Sequence, residues 1–241
     1  MHPAATSLRG NAAPVTDVEQ ENSPAASRDP KSATTWSRLW FAVTALCVIG
    51  GVAISVYTAA HNHTGHFHTP VERAFNTFAF FTIDSNLIVG ATALLLSLKP
   101  ARTSPVFATF RLIGVVAITV TGLVYHVALA GLFDLQGWDE LGNQLVHTVV
   151  PILAVAGWLM FGPRRLTSAR IAMWSLVFPV AWLGFTLIRG SFVHWYPYPF
   201  IDVTKLGYGG TLLNCGWVSL LLLGLAAGAT RIDRILGRSH E

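Results

Sequence analysis

The chain has 241 residues, of which 52% are hydrophobic and 12% are charged, and its mean hydropathy is +0.51. Soluble domains carry about 25% charged residues, so this composition excludes an ordinary soluble domain and favours an integral membrane protein. The formal net charge of +4 comes from scattered loop residues that form no continuous basic face, which argues against a nucleic-acid-binding protein.

The first 35 residues are rich in Ala, Ser, Pro and Asn and contain almost no aromatic side chains. Such a segment cannot bury a core, so 1–35 is predicted to be a disordered cytoplasmic tail. It also lacks the basic-then-apolar order of a cleavable signal peptide, so the first apolar run is expected to direct membrane insertion. The remainder, 36–235, is predicted to form one transmembrane domain.

Six apolar runs reach the ~20 residues that a helix needs to cross a bilayer. The predicted spans are 38–60, 74–98, 108–132, 143–161, 170–189 and 211–230. The connections between them are short and contain Pro or Gly. We therefore expect an all-α, polytopic protein with six transmembrane helices in a cell membrane.

The distribution of charge predicts the orientation of these spans. Basic residues lie before the first span, in the second and fourth connections and after the sixth span; examples are Arg38, Lys99, Arg164 and Arg231. The third connection instead carries only acidic charges, at Asp134, Asp139 and Glu140. By the positive-inside rule both termini are cytoplasmic, and the first, third and fifth connections face outward.

With this orientation, five spans each bring a polar or ionisable side chain to the outer-leaflet half of the membrane. These residues are Thr82, Asp84 and Asn86, then His126, His147, Arg189 and Asn214, and the fifth connection adds Asp202. A charged side chain at the bilayer centre costs about 2.5–3.5 kcal/mol on insertion scales. Several polar groups at one depth therefore predict a shared, partly hydrated site.

Several of these residues also have purely structural interpretations. The Thr82 hydroxyl can bond a carbonyl one turn earlier, and Asp84 can pair with Arg189 or with a helix end. Pro151 frees a carbonyl near position 147, which His147 can fill. His126 can act as a polar contact between helices rather than as a reactive group.

Two further groups of residues are interpreted as surface features. The aromatic residues near the outer boundary are expected to form an interfacial belt; they are Trp138, Trp195, Tyr196 and Tyr198. The first connection, HNHTGHFH, holds His61, His63, His66 and His68. It has no cysteine and no helical HxxxH spacing, so we expect a pH-sensitive loop rather than a metal site.

The residue types in the outer layer fit nucleophilic catalysis. A threonine hydroxyl becomes reactive when a neutral histidine takes its proton, so Thr82 is the candidate nucleophile, with His147 or His126 as its base. Asp84 and Asp202 are candidate carboxylates to orient the histidine ring. Candidates to stabilise an oxyanion are Asn86, Asn214 and Arg189. Asn86 shares a helix face with Thr82, whereas Asp84 points in roughly the opposite direction.

Three segments in this order, FFTIDSN, LVHTVVP and WYPYPFI, resemble motifs of the androgen-induced-gene-one family. Members of that family are multi-spanning membrane hydrolases that use a threonine and a histidine to cleave fatty acid esters of hydroxy fatty acids. The chain is also similar to the uncharacterised bacterial branch of this superfamily. The resemblance implies that Thr82 is the nucleophile, that His147 is the essential histidine, and that the protein lies in a bacterial plasma membrane.

Two functions from different classes follow from these observations. The first is an integral-membrane lipid esterase without a cofactor, acting on a membrane lipid or fatty-acyl ester. The alternative is a proton- or metal-coupled transporter or sensor with a relay of Asp84, His126 and His147. A transporter of this kind is expected to carry polar groups through the inner halves of its spans and often an inverted repeat, and the sequence displays neither.

Overall fold

A computed structural model describes residues 30–63, 65–132 and 134–238 of the chain. Within these ranges all regular elements are helical, and six stretches are long and apolar enough to cross a membrane. These stretches are Thr34–His61, Phe81–Leu98, Pro105–Leu129, Trp138–Phe161, Ala169–Val193 and Val203–Arg238. The predicted all-α, six-span architecture is confirmed.

The predicted N-terminal tail lies mostly outside the described residues. Helix α1, Pro30–His61, begins before the predicted domain boundary at 36. An established helix extends at little cost because each added residue gains a hydrogen bond, and proline is compatible with a first helical turn. The last residues assigned to the tail, 30–35, are therefore helical.

The second span departs from the continuous helix predicted over 74–98. Helix α2, Pro70–Asn76, is followed by a 3₁₀ turn, Thr77–Ala79, and helix α3 runs over Phe81–Leu98. Phe80, between them, is extended, with φ −84° and ψ 130°. Tertiary contacts hold this interruption, because the Trp182 indole donates to the Ala79 carbonyl at 3.2 Å. The hydrophobic periodicity of the sequence cannot reveal such tertiary contacts.

The third and fourth spans each contain a π-helical segment. Helix α4, Pro105–Val124, continues into the π segment Tyr125–Leu129. Helix α5, Trp138–Gln144, leads through the π segment Leu145–Val149 into helix α6, Val150–Phe161. Pro151 lacks an N–H and so removes one regular helical hydrogen bond in the fourth span. Such π segments often mark functional sites.

The fifth and sixth spans are also interrupted. Helix α7, Ala169–Ser175, and helix α8, Val177–Val193, meet at Leu176. Pro179 explains this junction, because it cannot donate to the carbonyl four residues earlier. Helix α9, Val203–Arg238, contains a non-helical residue at Gly207.

Close packing joins the first span to the site-bearing helices. Helix α1 packs along α3, and α3 packs along α4. A Cβ added at Gly51 would lie 2.9 Å from a Val146 methyl group, and one at Gly90 would lie 2.8 Å from a Val48 methyl group. Small residues of this kind let membrane helices approach closely, so α1 forms a rigid backing for α3 and for the π segment that carries His147.

We call the end of the bundle that carries Arg38, Lys99, Arg164 and Arg231 the basic end. The positive-inside rule predicts that this end faces the cytoplasm. Buried polar contacts fix the loop between α6 and α7 there. Arg111 donates to the Gly162 carbonyl at 2.7 Å, and the Asp233 carboxylate accepts from the Thr167 N–H at 3.0 Å and from its hydroxyl at 2.8 Å.

Candidate active site

Thr82 is the second residue of helix α3, near the end of the bundle opposite the basic end. Because the chain is extended at Phe80, the first N–H groups of α3 have no carbonyl of a preceding helical turn to bond. Those N–H groups and the helix dipole give this position a partial positive charge. The interruption of the second span thus converts Thr82 from a mid-helix residue into one at a helix N-terminus.

The Thr82 hydroxyl lies within hydrogen-bond reach of His147. The distance from Thr82 Oγ1 to His147 Nε2 is 3.2 Å, and His147 Nδ1 is 3.2 Å from the Asn143 carbonyl oxygen. A carbonyl oxygen only accepts hydrogen bonds, so Nδ1 carries the hydrogen and the Nε2 lone pair faces Thr82. This tautomer is the one that a general base for the threonine hydroxyl requires.

Tyr198 completes the contacts of Thr82. Its phenol oxygen is 3.1 Å from the Thr82 backbone nitrogen and 3.1 Å from Thr82 Oγ1. The side chain is only 8% exposed and stacks on Phe200. Tyr198 is therefore a buried partner of Thr82, and the prediction that it belongs to an interfacial belt is wrong. The prolines on both sides of it in WYPYPF restrict the backbone and were the available sequence signal.

These contacts form a single directed chain of hydrogen bonds. The Thr82 N–H donates to the Tyr198 oxygen, the Tyr198 hydroxyl donates to Thr82 Oγ1, and the Thr82 hydroxyl donates to His147 Nε2. Burial raises the pKa of Tyr198 to about 12, so the phenol keeps its proton at neutral pH. The hydroxyl proton of Thr82 is consequently directed at the histidine.

The His147 ring, on the second π segment, packs against a residue of the first. Tyr125 stacks on His147 with ring centroids 4.3 Å apart and an interplanar angle of 24°. The Asn143 side-chain amide donates to the Tyr125 hydroxyl at 2.6 Å. His126, the alternative base, is exposed and instead has its Nε2 3.2 Å from the Thr148 hydroxyl. The geometry therefore favours His147 over His126.

Asn86 ties α3 to the segment that carries His147. Its side-chain amide donates to the Thr82 carbonyl at 2.8 Å and to the Val146 carbonyl at 3.0 Å, and the residue is fully buried. Pro151 removes a donor from the carbonyls of this turn, and Asn86 supplies one. The structural role considered for His147, filling the proline kink, thus belongs to Asn86, which orients the site rather than facing an oxyanion.

The other predicted supporting residues do not contact Thr82 or His147. Arg189 donates to Asn76 at 2.8 Å instead of pairing with Asp84. Asp84 is half-buried, and its carboxylate has no hydrogen bond or ion pair with any described residue. Asn214 donates to the Phe200 carbonyl at 2.9 Å, and Asp202 lies 3.4 Å from the Lys205 amine. The last two residues stabilise the connection that carries Tyr198, so they support the site indirectly.

The histidine-rich connection shows no grouping that favours a metal site. His61 Nδ1 lies 2.8 Å from the Tyr57 carbonyl oxygen within helix α1. In the part of the chain that the structure describes, no three His, Cys, Asp or Glu side chains are placed to hold one metal ion.

An apolar cavity of about 220 Å³ begins at Thr82 and Tyr198. It extends along α9 from Cys215 to Leu223, a helical distance of about 12 Å at 1.5 Å per residue. Val180, which lines the cavity, is 69% exposed, so the cavity reaches the membrane-facing surface. His147 is not among the residues that line the cavity.

The three motifs of the predicted family resemblance meet at this point of the structure. FFTIDSN contributes Thr82, LVHTVVP contributes His147, and WYPYPFI contributes Tyr198. Comparison of the chain with protein-family models, with curated proteins and with solved structures finds no match. Membership of the family stays a prediction.

The contacts of Asn86 predict a measurable stability effect. Replacing Asn86 by Leu leaves the Val146 carbonyl buried without its donor, which is expected to lower the free energy of unfolding by about 1–3 kcal/mol. The matched control is Thr92→Val, because the Thr92 hydroxyl bonds only carbonyls of its own helix. Unfolding midpoints in detergent measure both variants; equal midpoints would contradict the bridging role of Asn86.

Proposed function

We propose that the protein is an integral-membrane ester hydrolase acting on lipid or fatty-acyl esters, with Thr82 as nucleophile and His147 as general base. The observation that carries this proposal is the 3.2 Å contact between the Thr82 hydroxyl and the unprotonated nitrogen of His147. The adjoining apolar cavity and the resemblance to a family of membrane threonine hydrolases support the same reaction class.

In the first step His147 Nε2 takes the hydroxyl proton as Thr82 Oγ1 attacks the ester carbonyl carbon. The tetrahedral intermediate collapses when the protonated Nε2 donates to the departing alcohol oxygen, leaving an acyl group on Thr82. Water then attacks this acyl group while His147 again removes a proton. The acid is released, the threonine is restored, and one water is consumed for each ester bond broken.

The N-terminus of α3 is suited to stabilise the negative charge of the intermediate. The backbone N–H groups of its first turn carry the positive end of the helix dipole next to Thr82. The Tyr198 oxygen accepts the Thr82 N–H. When a substrate carbonyl oxygen takes that place, the Tyr198 hydroxyl becomes an additional donor to it, because the phenol is protonated.

The cavity is suited to hold an acyl chain of the substrate. Its surface is almost entirely apolar, with wall residues such as Val120, Trp182, Val218 and Leu222. Lipid tails are as apolar as this wall, so a chain entering from the bilayer is held by close van der Waals contacts with the wall. An acyl chain entering past Val180 would lie along α9 with its carbonyl at Thr82, and the alcohol portion would leave on the side of His147.

The contacts required by the transporter alternative are not formed among the described residues. His126 bonds Thr148, His147 bonds Thr82 and Asn143, and Asp84 contacts neither histidine through a hydrogen bond. No chain of hydrogen bonds links the three side chains, and none of them lines the apolar cavity that begins at Thr82. The described geometry therefore favours ester hydrolysis over proton transfer across the membrane.

Covalent labelling tests the two central roles. Thr82→Ala removes the attacking oxygen and His147→Ala removes its base, so each is expected to abolish labelling by a fluorophosphonate probe. Thr92→Val, a change of similar size on the same helix, should label like the wild type, and Thr82→Ser should retain labelling. All variants are compared at equal folded amounts by size-exclusion chromatography. Labelling that survives in both Thr82→Ala and His147→Ala would contradict the proposal.

Tyr198→Phe tests the role of the phenol. Removal of the hydroxyl eliminates one donor to the oxyanion and is expected to lower kcat for a long-chain p-nitrophenyl ester by roughly 10²-fold. Tyr196→Phe is the control, because the described chain offers that hydroxyl no hydrogen-bond partner. An unchanged kcat in Tyr198→Phe would exclude the hydroxyl from the chemical step.

A further inference from the structure

A second depression lies at the basic end, away from Thr82. Helices α7 and α9 leave a groove of about 630 Å³ between them. Its apolar lining includes Ala172, Met173 and Ala227. Its mouth is lined by three arginines of α9, which are Arg231, Arg234 and Arg238.

The three arginines are arranged as one cationic surface. Their spacing of three and four residues places them on one face of α9, within about 10 Å along its axis. All three are exposed, and none of their side chains has a hydrogen bond or an ion pair within the described ranges of the chain. Among the described residues, no carboxylate pairs with these three guanidinium groups, which line the groove.

Three other arginines at the same end are engaged in internal contacts. Arg38 donates to the Ser97 carbonyl at 2.8 Å, Arg111 to the Gly162 carbonyl at 2.7 Å, and Arg164 to the Trp158 carbonyl at 2.7 Å. Asp233 is 1% exposed and points toward Thr167, so it does not neutralise the groove. The side chains of the three groove arginines have no such internal contact with any described residue.

The positive-inside rule explains why basic residues lie at this end of the bundle. It does not require three of them to line one groove that continues into an apolar wall within the membrane. An apolar wall below a row of guanidinium groups at the membrane boundary matches one class of molecule, a lipid with an anionic phosphate above its acyl chains. Guanidinium groups bind phosphate oxygens in paired hydrogen bonds, and basic pockets between transmembrane helices suit anionic head groups.

We propose that the groove between α7 and α9 binds an anionic glycerophospholipid from the leaflet at the basic end. Its phosphate is held by Arg231, Arg234 and Arg238, and one acyl chain lies along Met173 and Ala227. This binding is independent of the hydrolytic activity proposed for Thr82.

The groove also touches the cavity beside Thr82. Leu176 and Leu223 line both spaces, with Leu176 at the junction of α7 and α8. A phospholipid chain in the groove would pack against the same two side chains that bound the cavity at its basic end. Occupancy of the groove is therefore expected to stabilise one wall of the cavity.

Native mass spectrometry of the full chain tests the proposal. The protein is released from detergent containing equal amounts of phosphatidylglycerol and phosphatidylcholine with identical acyl chains. The wild type is expected to retain one phosphatidylglycerol in preference to phosphatidylcholine. The double variant Arg231→Gln/Arg234→Gln should lose this preference by roughly tenfold or more, because each arginine near the membrane surface contributes a favourable electrostatic term.

Two further variants separate a specific site from general attraction to positive charge. Lys99→Gln/Arg102→Gln removes the same number of charges at the same end, outside the groove, and should keep the wild-type preference. Ala227→Trp fills the apolar wall without changing charge and should reduce lipid retention. Equal retention of both lipids by the wild type, or equal losses in the two charge variants, would overturn the proposal. If the arginine variant does not fold, the wild type and Ala227→Trp still decide the outcome.

Discussion

The interruption of the second span at Phe80 is the constraint on which the rest of the site depends. A backbone N–H left without a partner in a membrane costs several kcal/mol, so a helix that begins there needs acceptors from elsewhere. The Tyr198 hydroxyl supplies one for Thr82, and Trp182 satisfies the carbonyl of Ala79 on the other side of the interruption. The fifth connection must therefore fold down over α3, which brings a phenol into contact with the threonine.

A second irregularity meets the first at the same point. The π segment Leu145–Val149 and Pro151 leave a carbonyl at Val146 that Asn86 satisfies from α3. The adjacent residue, His147, is thereby held against Thr82, with Tyr125 stacked on its other side. Two departures from regular helix thus stabilise each other. Both the helix N-terminus and the orientation of the histidine follow from this shared arrangement.

Hydropathy and charge were sufficient to predict the number of spans, because a bilayer fixes the length and composition of a crossing helix. The predicted depth of Thr82 and His147 in the membrane, together with the motifs around them, also identified both as candidate site residues. Depth alone could not separate those two from Arg189 or Asn214, since residues at one level can face different neighbours. The two latter residues bond Asn76 and the Phe200 carbonyl instead. The roles of Tyr198 and Asn86 were also missed, because both depend on backbone groups freed by irregular segments that periodicity does not reveal.

The most direct test of the central claim is the chemical identity of the labelled residue. After reaction with a fluorophosphonate, the protein is digested and the modified peptide is sequenced by tandem mass spectrometry. The adduct is expected on the Thr82 oxygen, in the peptide that contains FFTIDSN. An adduct on any other residue, with Thr82 unmodified, would contradict the assignment of Thr82 as the nucleophile.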